Sequence, residues 1–227
     1  MNSDTQQHNI LKGYNMLLYF AGTVIMYKPS EECILDFWTN GILKNLPVSS
    51  SNPTFVKAAS QLRNTCDDKK ICKEILQDDF DRLFDMKEHS LAPAFESLYS
   101  KKEIAGSGTY PVGVTEFYNS YGWVSKFKAK MTDDHLAIEL LFLTILIDKY
   151  VALEDAACQA EMGQEICRFI DNHLFNWIGE WNSKIQNYSN TIDFKGIATL
   201  IIACVEDIYS IFSRRTGTIF SIENLKN

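Results

Sequence analysis

The longest apolar run of this chain reads Leu136-Ala-Ile-Glu-Leu-Leu-Phe-Leu-Thr-Ile-Leu-Ile147 and directly follows Thr132-Asp-Asp-His135. Only Glu139 and Thr144 interrupt it, and a helix that is hydrophobic nearly all round belongs in a protein core. At 12 residues the run is too short to cross a bilayer, which takes about 20. We therefore predict a buried central helix, with the two preceding aspartates in its first turn, and no membrane span.

Amphipathic helices are predicted on both sides of this run. Apolar residues recur at helical spacing from Ile10 to Ile25, and Pro29 ends that helix. Asn52 as N-cap, followed by Pro53 at the first helical position, starts another helix that continues to about residue 62. The remaining helices are predicted at about 30–42, 68–84, 114–122, 150–169, 174–185 and 193–212. The chain is thus predicted to be all-α, with roughly eight to eleven helices in one globular domain over residues 1–227.

The composition is that of a soluble globular protein. The chain has 227 residues, of which 46% are hydrophobic and 22% are charged, enough for one domain with a sizeable core. Its net charge of −7 argues against a nucleic-acid partner, because phosphate binding draws on clustered Lys and Arg. An acidic balance fits a basic peptide or protein partner, and it fits plain solubility equally well. The segment Met1–His8 has neither a basic nor an apolar region, so we expect no secretory signal.

The six cysteines stand at positions 33, 66, 72, 158, 167 and 204, and they form no Cys-x-x-Cys pair. Most lie among apolar neighbours at helical spacing, where a free thiol behaves as a small hydrophobe. This pattern predicts free thiols without a disulfide framework, and it favours a reducing cytoplasm.

Asp134 and His135 are the first candidates for chemistry. Imidazole titrates near neutrality and an adjacent carboxylate raises its pKa, so the pair could act as an acid and base. The pair also fits a plain helix start, and no nucleophile motif accompanies it. No Glu has a His three residues later and no ligand spacing suits a tetrahedral metal, so no metal site is expected. The glycine-rich segment Gly106–Gly113 lacks the P-loop lysine and is interpreted as a structural turn.

Acidic and aromatic residues are concentrated between residues 78 and 99. An acidic cluster there fits a solvated helix face and, equally well, a rim that attracts arginines. Its members are Asp78, Asp79, Asp81, Asp85 and Glu88. Farther along, His173 and Trp177 lie four residues apart, a spacing that favours a hydrogen-bonded core pair over a ligand.

Four motifs follow one another along the chain. They are Phe80-Asp-Arg-Leu-Phe84, Ala92-Pro-Ala-Phe-Glu-Ser-Leu-Tyr99, Asp133-Asp-His-Leu136 and His173-Leu-Phe-Asn-Trp177. Together with a last helix that begins near Phe194, they resemble the TorD/DmsD/NarJ group of redox-enzyme maturation chaperones, most closely its TorD/DmsD branch. In that group the corresponding motifs are an aromatic-x-Arg-Leu-Phe helix end, a Pro-rich loop, an Asp-His signature and a later His-Leu-x-x-Trp.

The resemblance spans about residues 10–212, with two departures. Met131-Thr132 stands where the family commonly has Glu-Pro, and Pro93-Ala94 stands where its loop often has two prolines. Both departures bear on the fine shape of the binding groove and on the cargo that it accepts.

The resemblance implies an all-helical cytoplasmic chaperone that is not an enzyme and needs no cofactor. Such proteins bind the twin-arginine signal peptide, and sometimes the body, of a molybdenum-cofactor oxidoreductase, and they delay export until the cofactor is loaded. Guanidinium groups suit carboxylates, and the apolar part of a signal peptide suits an aromatic groove. For this chain the resemblance implies a dimethyl-sulfoxide-reductase-like client and a monomer or a swapped dimer.

The motif matches imply a peptide site of eight residues. Asp134 would accept hydrogen bonds from arginine at its centre, beside His135, while Pro93 would fix the loop. The residues lining the apolar side would be Phe80, Leu83, Phe84, Phe95 and Tyr99. Ordinary core packing is the other interpretation of these aromatics, and for Phe84 it explains the residue equally well.

Two other functions stay open from the residues alone. One is a helical hydrolase or thiol enzyme that uses His135, which would lose turnover on His135→Ala and bind no peptide. The other is a helical scaffold for an unrelated partner, which a neighbouring oxidoreductase gene would argue against.

Overall fold

The computed structural model of the protein describes residues 3–30, 45–63, 69–84, 89–100 and 113–213. They form a single all-helical domain, which confirms the predicted fold class. The described α-helices are α1 (Ser3–Met26), α2 (Pro53–Arg63), α3 (Lys69–Phe84), α4 (Val114–Ser120), α5 (Leu136–Ala152), α6 (Ala156–His173), α7 (Ile178–Tyr188) and α8 (Ile192–Ser213). A 3-10 turn, Glu96–Leu98, also lies between α3 and α4.

The central helix of the domain is α5, as its sequence predicts. Eleven of its 17 residues are buried, because the apolar side chains surround the helix rather than following one stripe. It packs against α1 on one side and against α6 on another. The N-terminal end of α5 is therefore held in place by the core, which matters for the residues just before it.

The second long core helix is α8, which packs against α1, α2, α6 and α7. Among the described helices it alone is long and apolar enough to cross a membrane by length and composition, but 61% of its most apolar window is buried inside the protein. Burial of this extent is typical of a core helix.

Local signals set the start of α2 as predicted. Pro53 is its first residue, and Asn52 Oδ1 accepts a hydrogen bond from Thr54 N at 2.9 Å. Asn52 Nδ2 also donates to Glu206 Oε2 at 2.9 Å and to Asp207 Oδ1 at 3.0 Å. The N-cap therefore also fixes the start of α2 against α8.

The start of α5 differs from the prediction. His135 is the N-cap, so Asp133 and Asp134 precede the helix and are not in its first turn. The predicted helix at 150–169 divides between the end of α5 and α6, because the chain is extended at Leu153 and Asp155 caps α6. The predicted helix at about 30–42 and the turn at 106–113 lie outside the described residues except at their ends.

The cysteines depart from the prediction at one position. Cys158, Cys167 and Cys204 are free thiols, as expected. Cys72 is disulfide-bonded, so the prediction of free thiols is wrong there. Apolar neighbours at helical spacing surround both kinds of cysteine, which is why the sequence pattern does not separate them.

Candidate functional site

The segment 89–99 forms backbone hydrogen bonds both with the end of α3 and with the start of α5. On one side, Leu91 N donates to Arg82 O at 3.0 Å and Ala92 N donates to Leu83 O at 3.1 Å. On the other side, Leu136 N donates to Ala94 O at 2.9 Å. These backbone bonds bring three of the sequence motifs together, although Asp133–Leu136 lies far from the other two in the chain.

His135 is the point where the segment and α5 meet. It pairs with Phe95 in an isolated antiparallel bridge, and the two rings meet edge to face with centroids 4.9 Å apart. Its Nδ1 accepts from Ala137 N at 3.1 Å and so caps α5. Because that nitrogen is an acceptor, a neutral ring carries its proton on Nε2.

The charge state of His135 differs from the sequence expectation. Burial lowers its pKa to about 4, which outweighs the opposing effect of the Asp134 carboxylate. The ring is therefore neutral at physiological pH. An imidazole that is already committed to a helix cap and titrates near pH 4 is a poor general acid or base at neutrality.

Asp134 is half-buried at the edge of the same junction. Its Oδ2 accepts from Ser97 N at 3.2 Å, and its backbone carbonyl accepts from Glu96 N at 2.9 Å. Burial raises the pKa of Asp134, but hydrogen bonds from Ser97 and Thr132 outweigh burial and hold the pKa below its usual value. Asp134 is thus a carboxylate in a fixed position with part of its surface open to solvent.

Two of the three predicted site residues on α3, Phe80 and Phe84, form an aromatic cluster with Phe194 at the start of α8. The Phe84 ring lies 5.3 Å from the Phe80 ring and 5.5 Å from the Phe194 ring, measured between centroids. Leu83 and Phe84 are buried, whereas Phe80 is half-buried. Only Phe80 of these three offers a substantial surface to a ligand, and Leu83 and Phe84 pack in the core.

Pro93 and Tyr99 complete the predicted set. Pro93 is half-buried between two buried alanines. The Tyr99 ring is buried and stacks on Trp177 with centroids 5.4 Å apart. Lys184 Nζ also lies over the Tyr99 ring, 4.5 Å from its centroid. Asp134, His135, Pro93, Phe95 and Tyr99 therefore belong to one junction, which the Phe80 cluster adjoins through Leu83 and Ala92.

Two residues at this junction, Glu96 and Glu139, had no role in the sequence interpretation. Glu96 Oε2 lies 3.3 Å from His173 Nδ1, and Glu139 on α5 is fully buried. His173 itself is buried, and its carbonyl accepts from Trp177 Nε1 at 2.6 Å, which confirms the predicted core pair. Glu139 could have been singled out from the sequence, because it is the only charged residue in the longest apolar run.

Within the acidic cluster, Asp85 and Glu88 lie outside the described residues, and the three members on α3 form only partly a solvated face. Asp78 is exposed and Asp81 pairs with Lys28 at the surface. Asp79 is 1% exposed and accepts from Ser189 Oγ at 2.7 Å and from the backbone and side chain of Thr191 at 3.0 and 2.9 Å. Asp79 therefore joins α3 to the α7–α8 connection and is not part of a rim.

The described thiols are poorly suited to nucleophilic chemistry. Burial raises the pKa of Cys167 to about 12 and that of Cys204 well above its usual value. The exposed Cys158 has its pKa raised by the adjacent Asp155. A nucleophilic cysteine needs a lowered pKa, so these residues give no support to a thiol enzyme. Among the described residues, no group of three or more His, Cys, Asp or Glu is placed to hold a metal ion.

Comparison with known families gives one match. A family model described as nitrate reductase delta subunit matches residues 51–183, more than half of the chain. The matched segment runs from the N-cap region of α2 into α7 and contains all eight predicted site residues. No curated protein matches the chain.

Proposed function

Because this chain belongs to the nitrate reductase delta subunit family, the TorD/DmsD/NarJ group of redox-enzyme maturation chaperones, we propose that it binds the twin-arginine signal peptide of a molybdenum-cofactor oxidoreductase. The family acts in the maturation of molybdoenzymes. In our proposal the chain is of the TorD/DmsD type, acts in the cytoplasm without catalysing a reaction, and holds a dimethyl-sulfoxide-reductase-like client until its cofactor is loaded. The body of the client is a second candidate for contact.

The half-buried Asp134 carboxylate is the observation that supports this proposal most. Two backbone bonds at the junction, from Ser97 N and Glu96 N, fix the position of the residue. A preorganised carboxylate binds guanidinium through paired, charge-assisted hydrogen bonds at low entropic cost. The net charge of −7 also favours the approach of a cationic peptide.

The apolar part of the peptide would pack on the half-buried aromatics beside Asp134. Phe95 lies directly across the bridge from His135, and Phe80 extends the surface toward α3. His135 contributes as a neutral ring that holds Phe95 and α5 in register. Leu83, Phe84 and Tyr99 support these surfaces from behind, while Pro93 limits the conformations of the loop.

Isothermal titration with a synthetic signal peptide tests the proposal. The peptide is taken from a molybdoenzyme encoded next to this chain, and a Lys-Lys version of it is the comparison. We expect the arginine peptide to bind and the lysine peptide to bind at least about tenfold more weakly, because lysine lacks the planar fork of donors. No binding of either peptide would contradict the proposal.

Two single-charge variants locate the site. Asp134→Asn should weaken binding of the arginine peptide by about tenfold or more, which corresponds to loss of one charge-assisted hydrogen bond. Asp78→Asn removes the same charge from the exposed face of α3 and should leave the affinity unchanged. Equal losses in the two variants would instead indicate attraction by the acidic face as a whole.

A further inference from the structure

A buried carboxyl group without a hydrogen-bond partner lies next to the proposed peptide site. Glu139 projects from α5, is fully buried, and neither of its carboxyl oxygens has a partner. The Trp177 indole is nearby, but its N–H donates to the carbonyl of His173 at 2.6 Å. The Glu96 carboxyl is also close and raises the pKa of Glu139, yet no hydrogen bond of good geometry joins the two side chains. A buried polar group left unpaired costs about 1–3 kcal/mol, and more when it is charged. Such a group calls for an explanation in a native protein.

The surroundings of Glu139 are negative. Burial raises its pKa well above the usual value, and the carboxylates of Glu96 and Asp134 raise it further. Among the described ion pairs, none joins a Lys or Arg to any of these three carboxyl groups. The other described ionisable groups around these three carboxyl groups are Tyr118, Asp133 and His173. The cluster therefore has an excess of negative charge that a bound cation would offset.

Glu96 gives this cluster an opening to solvent. Its side chain is 14% exposed, while its Oε2 lies 3.3 Å from His173 Nδ1. Its Oε1 accepts from Asn176 Nδ2 at 3.4 Å and from Ser100 Oγ at 3.5 Å. All three contacts are long for hydrogen bonds to a carboxylate, and two oxygens can accept about four bonds in all. Glu96 is thus oriented by its neighbours and retains capacity for stronger donors.

We propose that Glu96, with the buried Glu139 behind it, forms a second guanidinium subsite, distinct from Asp134, for the neighbouring arginine of the bound peptide. This inference rests on the proposed function. It assigns one carboxylate residue to each arginine and gives the unpaired Glu139 and His173 Nε2 a polar group to face once the peptide is bound.

The geometry of an extended peptide calls for two subsites. Side chains of adjacent residues in an extended chain point to opposite sides, so two successive arginines cannot both fork around a single carboxylate. Glu96 and Asp134 are themselves joined by the 2.9 Å bond from Glu96 N to Asp134 O. Both residues therefore lie at the same backbone junction, where one bound peptide would meet them.

The subsite also predicts that binding releases a proton. Burial and the negative neighbours of Glu139 raise its pKa well above the usual value and so favour its protonated form in the free protein. A guanidinium group beside it favours the carboxylate, so the proton leaves to solvent when the arginine enters. Proton release of this kind is measured as a dependence of the binding enthalpy on the ionisation enthalpy of the buffer.

A set of peptides that differ only at the two arginine positions tests the assignment. The Arg-Arg, Lys-Arg and Arg-Lys peptides are titrated into the wild type, Asp134→Asn, Glu96→Gln and the control Glu161→Gln, which removes an exposed charge from α6. We expect Glu96→Gln to weaken binding of the Arg-Arg peptide by about tenfold. It should also abolish the preference for arginine over lysine at one of the two positions. Asp134→Asn should abolish the preference at the other position, and Glu161→Gln should change neither.

The outcomes separate this inference from the proposed function. If the wild type prefers the Arg-Arg peptide and Glu96→Gln shows the same preferences, the second subsite is wrong and the proposed function stands. If the wild type binds none of the peptides, both are wrong. Glu139→Gln, checked for unchanged helicity, provides an independent readout: proton release with the Arg-Arg peptide should occur in the wild type and vanish in this variant. Equal proton release in both would overturn the role of Glu139.

Discussion

Phe95 and His135 form an isolated antiparallel bridge, and their rings also meet edge to face at 4.9 Å between centroids. His135 is at the same time the N-cap of α5, through the bond from Ala137 N to its Nδ1. One side chain thus positions the start of the central helix and the loop that lies across it. Substitutions of His135 should therefore change both the stability of the protein and the position of the loop.

The cap can be isolated by comparing two small replacements. His135→Ser keeps a side-chain oxygen that can accept from Ala137 N, whereas His135→Ala does not. We expect the serine variant to be more stable than the alanine variant by about 1 kcal/mol, the usual value of an N-cap. Urea denaturation of the two proteins measures this difference. Both should be less stable than the wild type, because each loses the ring contact with Phe95, and equal stability of the two would show that the cap contributes nothing.

The low pKa of His135 predicts a stability that falls with acid. In the unfolded chain the imidazole titrates near pH 6.5, and in the folded protein near pH 4. Between these values the unfolded state binds a proton that the folded state does not, so lowering the pH favours unfolding. The contribution is fully present above pH 6.5 and is lost by about pH 4, with an upper limit of about 3 kcal/mol.

Comparison with His135→Ser isolates this contribution from the other titrating groups. The free energy of unfolding of the wild type should fall more steeply between about pH 6.5 and pH 4 than that of the variant, since only the wild type has the imidazole. Urea denaturation at a series of pH values provides the measurement. Parallel curves for the two proteins would mean that the ring titrates normally in the folded state.

Asp79 should be among the most sensitive positions for stability. It is buried and accepts hydrogen bonds from Ser189, Asn190 and Thr191, besides pairing with Arg82. Asp79→Ala leaves these donors without their acceptor, and we expect a loss of roughly 3–5 kcal/mol. The neighbouring exposed Asp78→Ala should change stability by less than about 0.5 kcal/mol. Chemical denaturation of both variants distinguishes a structural Asp79 from a surface one, for which the two losses would match.

The sequence predicts those features that depend on neighbouring residues. Asn52 and Pro53 define the start of α2, and the apolar run after His135 identifies the central helix, because each signal lies within a few residues. The burial of Asp79 depends on Ser189, 110 positions away. The four other acidic residues of its cluster give no sign of that partner, so the sequence is equally consistent with a solvated face and with a rim that attracts arginines.

The candidate site likewise combines features that neighbouring residues predict with features that depend on tertiary packing. Its motifs locate Asp134 and His135, but they do not reveal that His135 is buried enough to stay neutral, since burial follows from tertiary packing. The pairing of Glu96 with His173 spans 77 positions and has no local signature. The burial of Phe84 likewise depends on Phe194 of α8, so the motif alone did not distinguish ligand contact from core packing.

The crossing of α2 and α8 gives the last prediction. A Cβ added at Gly196 would lie 2.8 Å from Leu62 Cδ2 and 2.9 Å from Leu62 Cγ, and Leu62 is fully buried. Gly196→Ala should therefore destabilise the protein by about 1–3 kcal/mol through overpacking, despite the higher helix propensity of alanine. In the background of Leu62→Ala the clash is absent, so the same substitution should cost nothing or stabilise by up to about 1 kcal/mol. A double-mutant cycle measured by urea denaturation detects this coupling, and strictly additive effects would show that the two helices can move apart without cost.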